Sequence, residues 1–192
     1  MIKIRLAEMN ELPFLNQLIS ISARELSRED YTEEEIQGAI QYVFGVDLEL
    51  VLDKTYFVIE KNGKIAGCGG WSMRKTLFGG SQYLGREEGA YLDPQVDFAK
   101  IRAFFIHPKF ARQGLGSFLL KHCEQEAIGY GYTRFEMMAT LPGVKLYKAL
   151  DYRVISNEII ELPNKTHVRF VRMTKNLMDI GSNCTIAEVS RL

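Results

Sequence analysis

Cysteine, histidine and tryptophan are scarce in this chain, and neither sign of charge is in excess. Its three cysteines, Cys68, Cys123 and Cys184, are odd in number and widely spaced, which argues against a disulfide framework and for reduced thiols in a cytoplasmic protein. There is no Cys-x-x-Cys pair and no histidine-rich cluster, so no metal site is expected. Lys plus Arg equals Asp plus Glu at 24 each, so no overall field favours nucleic acid or an anionic membrane, and any electrostatic recognition has to be local. No apolar run approaches the roughly 20 residues needed to span a bilayer. The amino terminus, MIKIRLAEMNELPFLNQL, interrupts its apolar residues with charge every few positions, unlike a signal peptide. Gly-Lys-Ser/Thr is missing too, and position 119, where a G-x-G-x-x-G fingerprint needs glycine, is Leu. Both points weigh against a nucleotide-binding protein.

What is present is the composition of an ordinary soluble domain. With 46% apolar residues the chain can bury a sizeable core, and one domain over 1–176 with a tail at 177–192 accounts for its length. Ile2, Ile4 and Leu6 alternate with Lys3 and Arg5, the period of a half-buried strand. Glu8 to Arg24 changes to helical spacing, with Leu12, Leu15 and Ile19 on one side. Thr32 followed by Glu35 spells a capping box for a second helix running to about Phe44. Asn62-Gly63 between strand-like runs predicts a type I′ hairpin, and Gly67, Gly69 and Gly70 in its second arm suit a bulge or a close backbone approach. Trp71 follows them, either in the core or rim or as the lining of a cleft. From Lys75 to Phe98 the periodicity fails, and an irregular segment of this length inside a domain tends to be functional. Arg153–Leu162 and Thr166–Lys175 read as a final hairpin, and the tail beyond Asn176 leaves open a loose terminus, an extra helix or a homodimer contact.

The organising stretch is Ala99 to Ile128. A strand stops at His107-Pro108, a basic glycine-containing loop follows, and a helix starts near Gly114 with Leu115, Phe118, Leu119, Cys123 and Ala127 as its apolar stripe. A helix beginning there aims unpaired N–H groups and the positive end of its dipole at whatever sits above the loop, so an anion should bind. Gly114 and Gly116 permit close approach, Arg112 adds a permanent charge and Gln113 an amide donor. Strand, helix, strand and helix alternate through Tyr152, which argues for an α/β unit with parallel pairing near its middle.

Ala111-Arg112-Gln113-Gly114-Leu115-Gly116 resembles motif A of the GNAT N-acyltransferase superfamily, R/Q-x-x-G-x-G/A, with Ala111 at the usual Arg or Gln. Downstream, Val144 to Tyr152 resembles motif B, with Asp151 in place of the usual glycine and Thr140 at the position usually held by Asn. The resemblance implies an α/β fold with a central mixed sheet flanked by helices, two of its strands splayed to hold coenzyme A. It implies transfer of an acetyl group from acetyl-coenzyme A to a primary amine of a small molecule or peptide. The cofactor contacts it implies are the main chain of Phe104, Phe105 and Ile106, and the loop residues Arg112, Gln113, Gly114, Leu115, Gly116 and Ser117 around the pyrophosphate. Tyr147 falls on the tyrosine that often protonates the departing thiolate.

The acceptor side is less defined. Some family members use a glutamate near the start of the strand that ends at Ile106, where this chain has Lys100. His107 suits a structural hydrogen bond at the strand's end, and His122 and His167 have no motif support. The acceptor candidates are Trp71, Tyr83, Glu87 and Asp97, the acids attracting a cationic amine, and Glu87 or Asp97 could act as base through water. A non-catalytic acyl-coenzyme A binding or sensing module is the alternative.

Overall fold

The structure is a computed structural model and describes residues 1–85 and 90–181. Local chemistry explains most of its elements. Thr32 caps α2 (Glu33–Tyr42) through both bonds of the capping box, Glu35 N–H to Thr32 Oγ1 at 3.2 Å and Thr32 N–H to Glu35 Oε2 at 2.8 Å. Asn62 and Gly63 take φ of 53° and 74° between β2 (Tyr56–Lys61) and β3 (Lys64–Ser72), the doubly positive pattern of a type I′ turn. Asp151 takes φ of 69°, filling the left-handed position at the end of motif B. The remaining elements are β1 (Ile2–Leu6), α1 (Leu12–Leu26), α3 (Leu48–Leu52), β4 (Ala99–Ile106), α4 (Leu115–Gly129), β5 (Arg134–Ala139), α5 (Val144–Lys148), β6 (Arg153–Glu161), β7 (His167–Asn176) and α6 (Leu177–Gly181).

Several boundaries differ from the sequence expectation. The first helix starts at Leu12 after a short 3₁₀ turn over Met9–Glu11, and α2 stops two residues before Phe44. The helix α3 was not expected from the sequence, since five residues are too few to show a period. Cys184 and Glu87 lie outside the described residues. Among the described residues no helix is long and apolar enough to cross a membrane.

The strands form one sheet in the order β1-β2-β3-β4-β5-β7-β6, and every neighbouring pair is antiparallel except β4 and β5. One face packs on α4: Ala99, Ile101, Phe135 and Met137 meet Leu115, Leu119, Leu120 and Cys123. The opposite face packs Tyr56, Val58 and Cys68 against Leu15, Leu18 and Ile19 of α1 and Leu50 of α3. Side chains alternate along a strand, so Lys100 and Arg102 on β4, and Glu136 and Met138 on β5, point away from α4. Those residues face the segment after Met73. That segment is tied to the α2–α3 connection by Gly80 N–H to Val43 C=O at 2.8 Å, by Gln82 Nε2 to Phe44 C=O at 2.7 Å, and by Leu48 N–H to Ser81 Oγ at 2.9 Å.

Candidate active site

The site begins with a fault in the sheet. Cys68 pairs with Phe105 and Gly70 with Arg102, so Ala103 and Phe104 together stand opposite Gly69, a β-bulge. Ala103 takes φ of 53°, and its carbonyl accepts a hydrogen bond from Tyr56 Oη at 3.1 Å. Glycine is required across from it, because a Cβ at Gly69 would sit 2.7 Å from the Phe104 ring. The parallel pairing between β4 and β5 covers Ala99↔Phe135 and Lys100↔Glu136 and then ends. Beyond Lys100, β4 has no strand partner on its β5 side among the described residues.

The opening continues into a cavity of about 360 Å3 whose wall includes Phe104, Phe105, Ile106, Ala111, Arg112, Gly114, Gly116, Ser117 and Tyr147. At its far end Arg112 and Gly114 take φ of 59° and 78°, turning the loop so that it enters α4 without a side-chain cap. The N–H groups of residues 112–117 have no acceptor among the described residues, and the first main-chain bond of α4 runs from Phe118 N–H to Gly114 C=O at 3.0 Å. Successive free N–H groups at a helix start form a concave donor set for an anion. Gly116 allows α5 to lie close, a Cβ there falling 3.1 Å from Leu146 Cδ2.

Two expected contacts take a different form. The Gln113 side-chain amide is tied down, accepting from Lys61 Nζ and donating one N–H to the Lys109 carbonyl at 3.2 Å, which leaves its main-chain N–H and one amide N–H for a ligand. Leu115 is buried in the core under α4 and contributes only its N–H.

Tyr147 lies on α5 where two cavities meet. It lines the cavity just described and also a narrow one of about 60 Å3 whose wall includes Phe44, Phe78, Arg102, Phe104, Met138 and Phe170. The residue is 8% exposed, its hydroxyl makes no hydrogen bond among the described residues, and burial pushes the phenol well above its ordinary pKa. The ring rests edge-on against Tyr152, with centroids 6.1 Å apart. Tyr152 in turn donates to Glu124 at 2.9 Å, and Lys175 holds the other oxygen of Glu124 at 2.8 Å. The expected functional tyrosine is therefore braced from behind by a buried polar network.

The acceptor candidates separate. Trp71 pairs with Ile101 in the sheet register and so shares its α4-facing side. It is 1% exposed and packs against Tyr130 and Tyr132 at 5.1 and 5.9 Å, so it is a core residue and lines neither cavity, which corrects the cleft expectation. Tyr83 and Asp97 both line a third cavity on the far side of the narrow one, together with Lys100, Glu136 and Arg172. His107 Nδ1 accepts from Lys109 N–H at 3.2 Å, a structural bond at the strand's end. His122 packs on Phe57 at 4.6 Å, and His167 pairs with Glu161 at 3.5 Å, both away from the cavities.

Two groupings had no local signal in the sequence. Arg102 and Asp47 form a buried ion pair at 2.6 Å, and Arg102 also donates to the Gly79 carbonyl, tying β4 to α3 and to the covering segment. Lys100 and Arg172 both bind Glu136. Burial alone would raise the Glu136 carboxyl, but the hydrogen bonds and charges of Lys100 and Arg172 outweigh it and hold the group below its ordinary value. No cluster of three or more His, Cys, Asp or Glu suited to a metal occurs among the described residues.

The site is thus a mixed sheet that opens between two parallel strands, with free N–H groups at one mouth of the opening. Residues 18–152 match the sequence model of the acetyltransferase (GNAT) family, and the chain belongs to that family. Solved structures agree on the fold. A GCN5-related N-acetyltransferase from Rhodopseudomonas palustris is 14% identical with a TM-score of 0.66, covering 91% of this chain and 95% of that one. The PaiA N-acetyltransferase from Thermoplasma acidophilum, solved in complex with coenzyme A, is 13% identical with a TM-score of 0.61, covering 92% and 99%. The ribosomal-protein-S18-alanine N-acetyltransferase from Escherichia coli is 16% identical with a TM-score of 0.54, covering 92% and 94%. No match was found among curated protein sequences.

Proposed function

We propose that the protein acetylates a primary amine of a small molecule or peptide, taking the acetyl group from acetyl-coenzyme A by direct attack of the amine on the thioester. The observation that supports this best is the unbonded hydroxyl of Tyr147 at the junction of the two cavities. In this reading the N–H groups of residues 112–117 receive the pyrophosphate, and the open side of β4 pairs with the pantetheine arm as an added strand would. A main-chain N–H at the bulge polarises the thioester carbonyl, a donor worth roughly 2.7 to 4 kcal/mol in other acyl-transfer enzymes. The neutral amine nitrogen bonds to the carbonyl carbon, the carbon–sulfur bond breaks, and the phenol proton of Tyr147 passes to the sulfur, while the amine's extra proton goes to solvent and the phenolate regains one from it. Burial keeps that phenol protonated at neutral pH, so the acid form is the resting one. The buried free thiols of Cys68 and Cys123 support the cytoplasmic location expected from sequence.

Incubation with acetyl-coenzyme A and a panel of primary amines, read by thiol release and by the mass of the acetylated product, tests the proposal. Coenzyme binding without thiol release on every acceptor would replace it with an acyl-coenzyme A sensing module, the reading left open by Lys100 at the position of the family's glutamate.

A further inference from the structure

The third cavity, of about 450 Å3, shares Leu77 and Phe78 with the narrow one beside Tyr147. Its charged lining is Lys75, Asp97, Lys100, Glu136 and Arg172. Glu136 is the hub: Lys100 reaches one oxygen, and Arg172 Nε donates to the other at 2.6 Å. Two cations thus share one carboxylate. Lys75 is exposed and has no ion pair among the described residues. Asp97 returns one negative charge, but one of its oxygens already accepts from Asp93 N–H at 2.8 Å within its own turn. Among the described residues positive charge is therefore in surplus, and apolar walls at Leu77, Phe78 and Leu92 make it felt more strongly than on an open surface.

We infer that this cavity receives an anionic end of the acceptor, so that the preferred acceptor is an amine whose far end carries a carboxylate, joined by an apolar arm slim enough for the cavity beside Tyr147. The amine end of this inference rests on the acetyl-transfer reading; the anion site does not. Arg172 is 44% exposed and turns Nε and Nη2 to Glu136, which leaves further N–H donors of its planar fork for a carboxylate. Lys75 supplies a second, exposed donor. A polyamine would instead bring like charge against these cations. This inference runs opposite to the sequence expectation of acids drawing in a cationic amine: Asp97 is outnumbered among the described lining residues, and Glu87 lies outside the described residues.

Calorimetric titration of the coenzyme A-bound protein with β-alanine, γ-aminobutyrate and ε-aminocaproate, each beside its primary amide, and with cadaverine, decides the matter. At least one amino acid is expected to bind about ten-fold more tightly than its amide and than the diamine, with the preference weakened by salt and reduced in Lys75→Gln. Equal binding of acid and amide, tighter binding of cadaverine, or no binding of any acid overturns the inference. The same ligands assayed for thiol release separate the two readings. Binding of acids without release of thiol from any amine sinks acetyl transfer and leaves the anion site standing, and turnover without preference for a carboxylate does the reverse.

Discussion

Tyr56 Oη donates to the carbonyl of Ala103 across 3.1 Å, fastening the residue at which β4 departs from a regular strand. Ala103 holds φ of 53°, a conformation a residue with a Cβ adopts at a cost, and the bond from a fully buried phenol offsets part of it. On the other side of the bulge, Gly69 leaves room for the Phe104 ring.

Tyr56→Phe should lower stability by about 1 kcal/mol, the ordinary worth of one internal hydrogen bond. Gly69→Val should do more, about 1 to 3 kcal/mol, because its side chain overlaps the Phe104 ring and the bulge has to shift. Urea unfolding at constant m-value measures both. Coenzyme affinity is expected to fall further in the valine variant, and a folded Gly69→Val protein with unchanged coenzyme affinity would dissociate the bulge from binding.

At Gly114 space and conformation can be separated. A Cβ there meets nothing within 4 Å, yet φ is 78°. Gly114→Ala is therefore expected to cost about 1 to 2 kcal/mol through backbone strain alone, and Gly114→Val more. In both, coenzyme binding by titration should weaken roughly in step, since the N–H groups of the loop lose their common direction.

Tyr147→Phe should cut turnover about ten-fold or more with little change in the KM for acetyl-coenzyme A, the pattern of an interaction made only in the transition state. The phenol's pKa is raised by burial, so its protonated form persists above the ordinary value of 10 and its deprotonation adds no alkaline limb below that pH. A Tyr147→Phe protein with full turnover at neutral and alkaline pH would remove this residue from the chemistry.

Glu136 carries a pH dependence of the opposite kind. Its folded-state pKa is depressed, so its stabilising contribution is present above the unfolded carboxyl value, about 4.3, and is lost as pH falls through the folded value. Glu136→Gln should lower stability at pH 7 by about 2 kcal/mol, since Lys100 and Arg172 lose their charged acceptor. The variant should also lose less stability than the parent on acidification. Urea midpoints from pH 7 down to pH 3 check both statements.

Local features were legible in the sequence because their causes lie within a few residues. The capping box at Thr32 and Glu35, the Asn62-Gly63 turn and the strand-loop-helix unit from Ala99 to Gly129 all appear where spacing placed them. Trp71 was not, because its destination depends on its register opposite Ile101. The partners that orient the Gln113 amide were not legible either, because one of them, Lys61, lies 52 positions away.

The residue order alone determined the Asn62-Gly63 turn, the Thr32 cap, the start of α4 near Gly114 and the free N–H groups at residues 112–117, since each depends on backbone preferences of adjacent residues. Only the tertiary structure decided which side chains share a cavity. The end of pairing after Lys100 and Glu136 opens the site, and the pairing of β5 with β7 sets Met138 beside Arg172, which brings the arginine within reach of Glu136. Lys100, Glu136 and Arg172 come from three strands, and such a convergence is a property of strand register that no local pattern encodes.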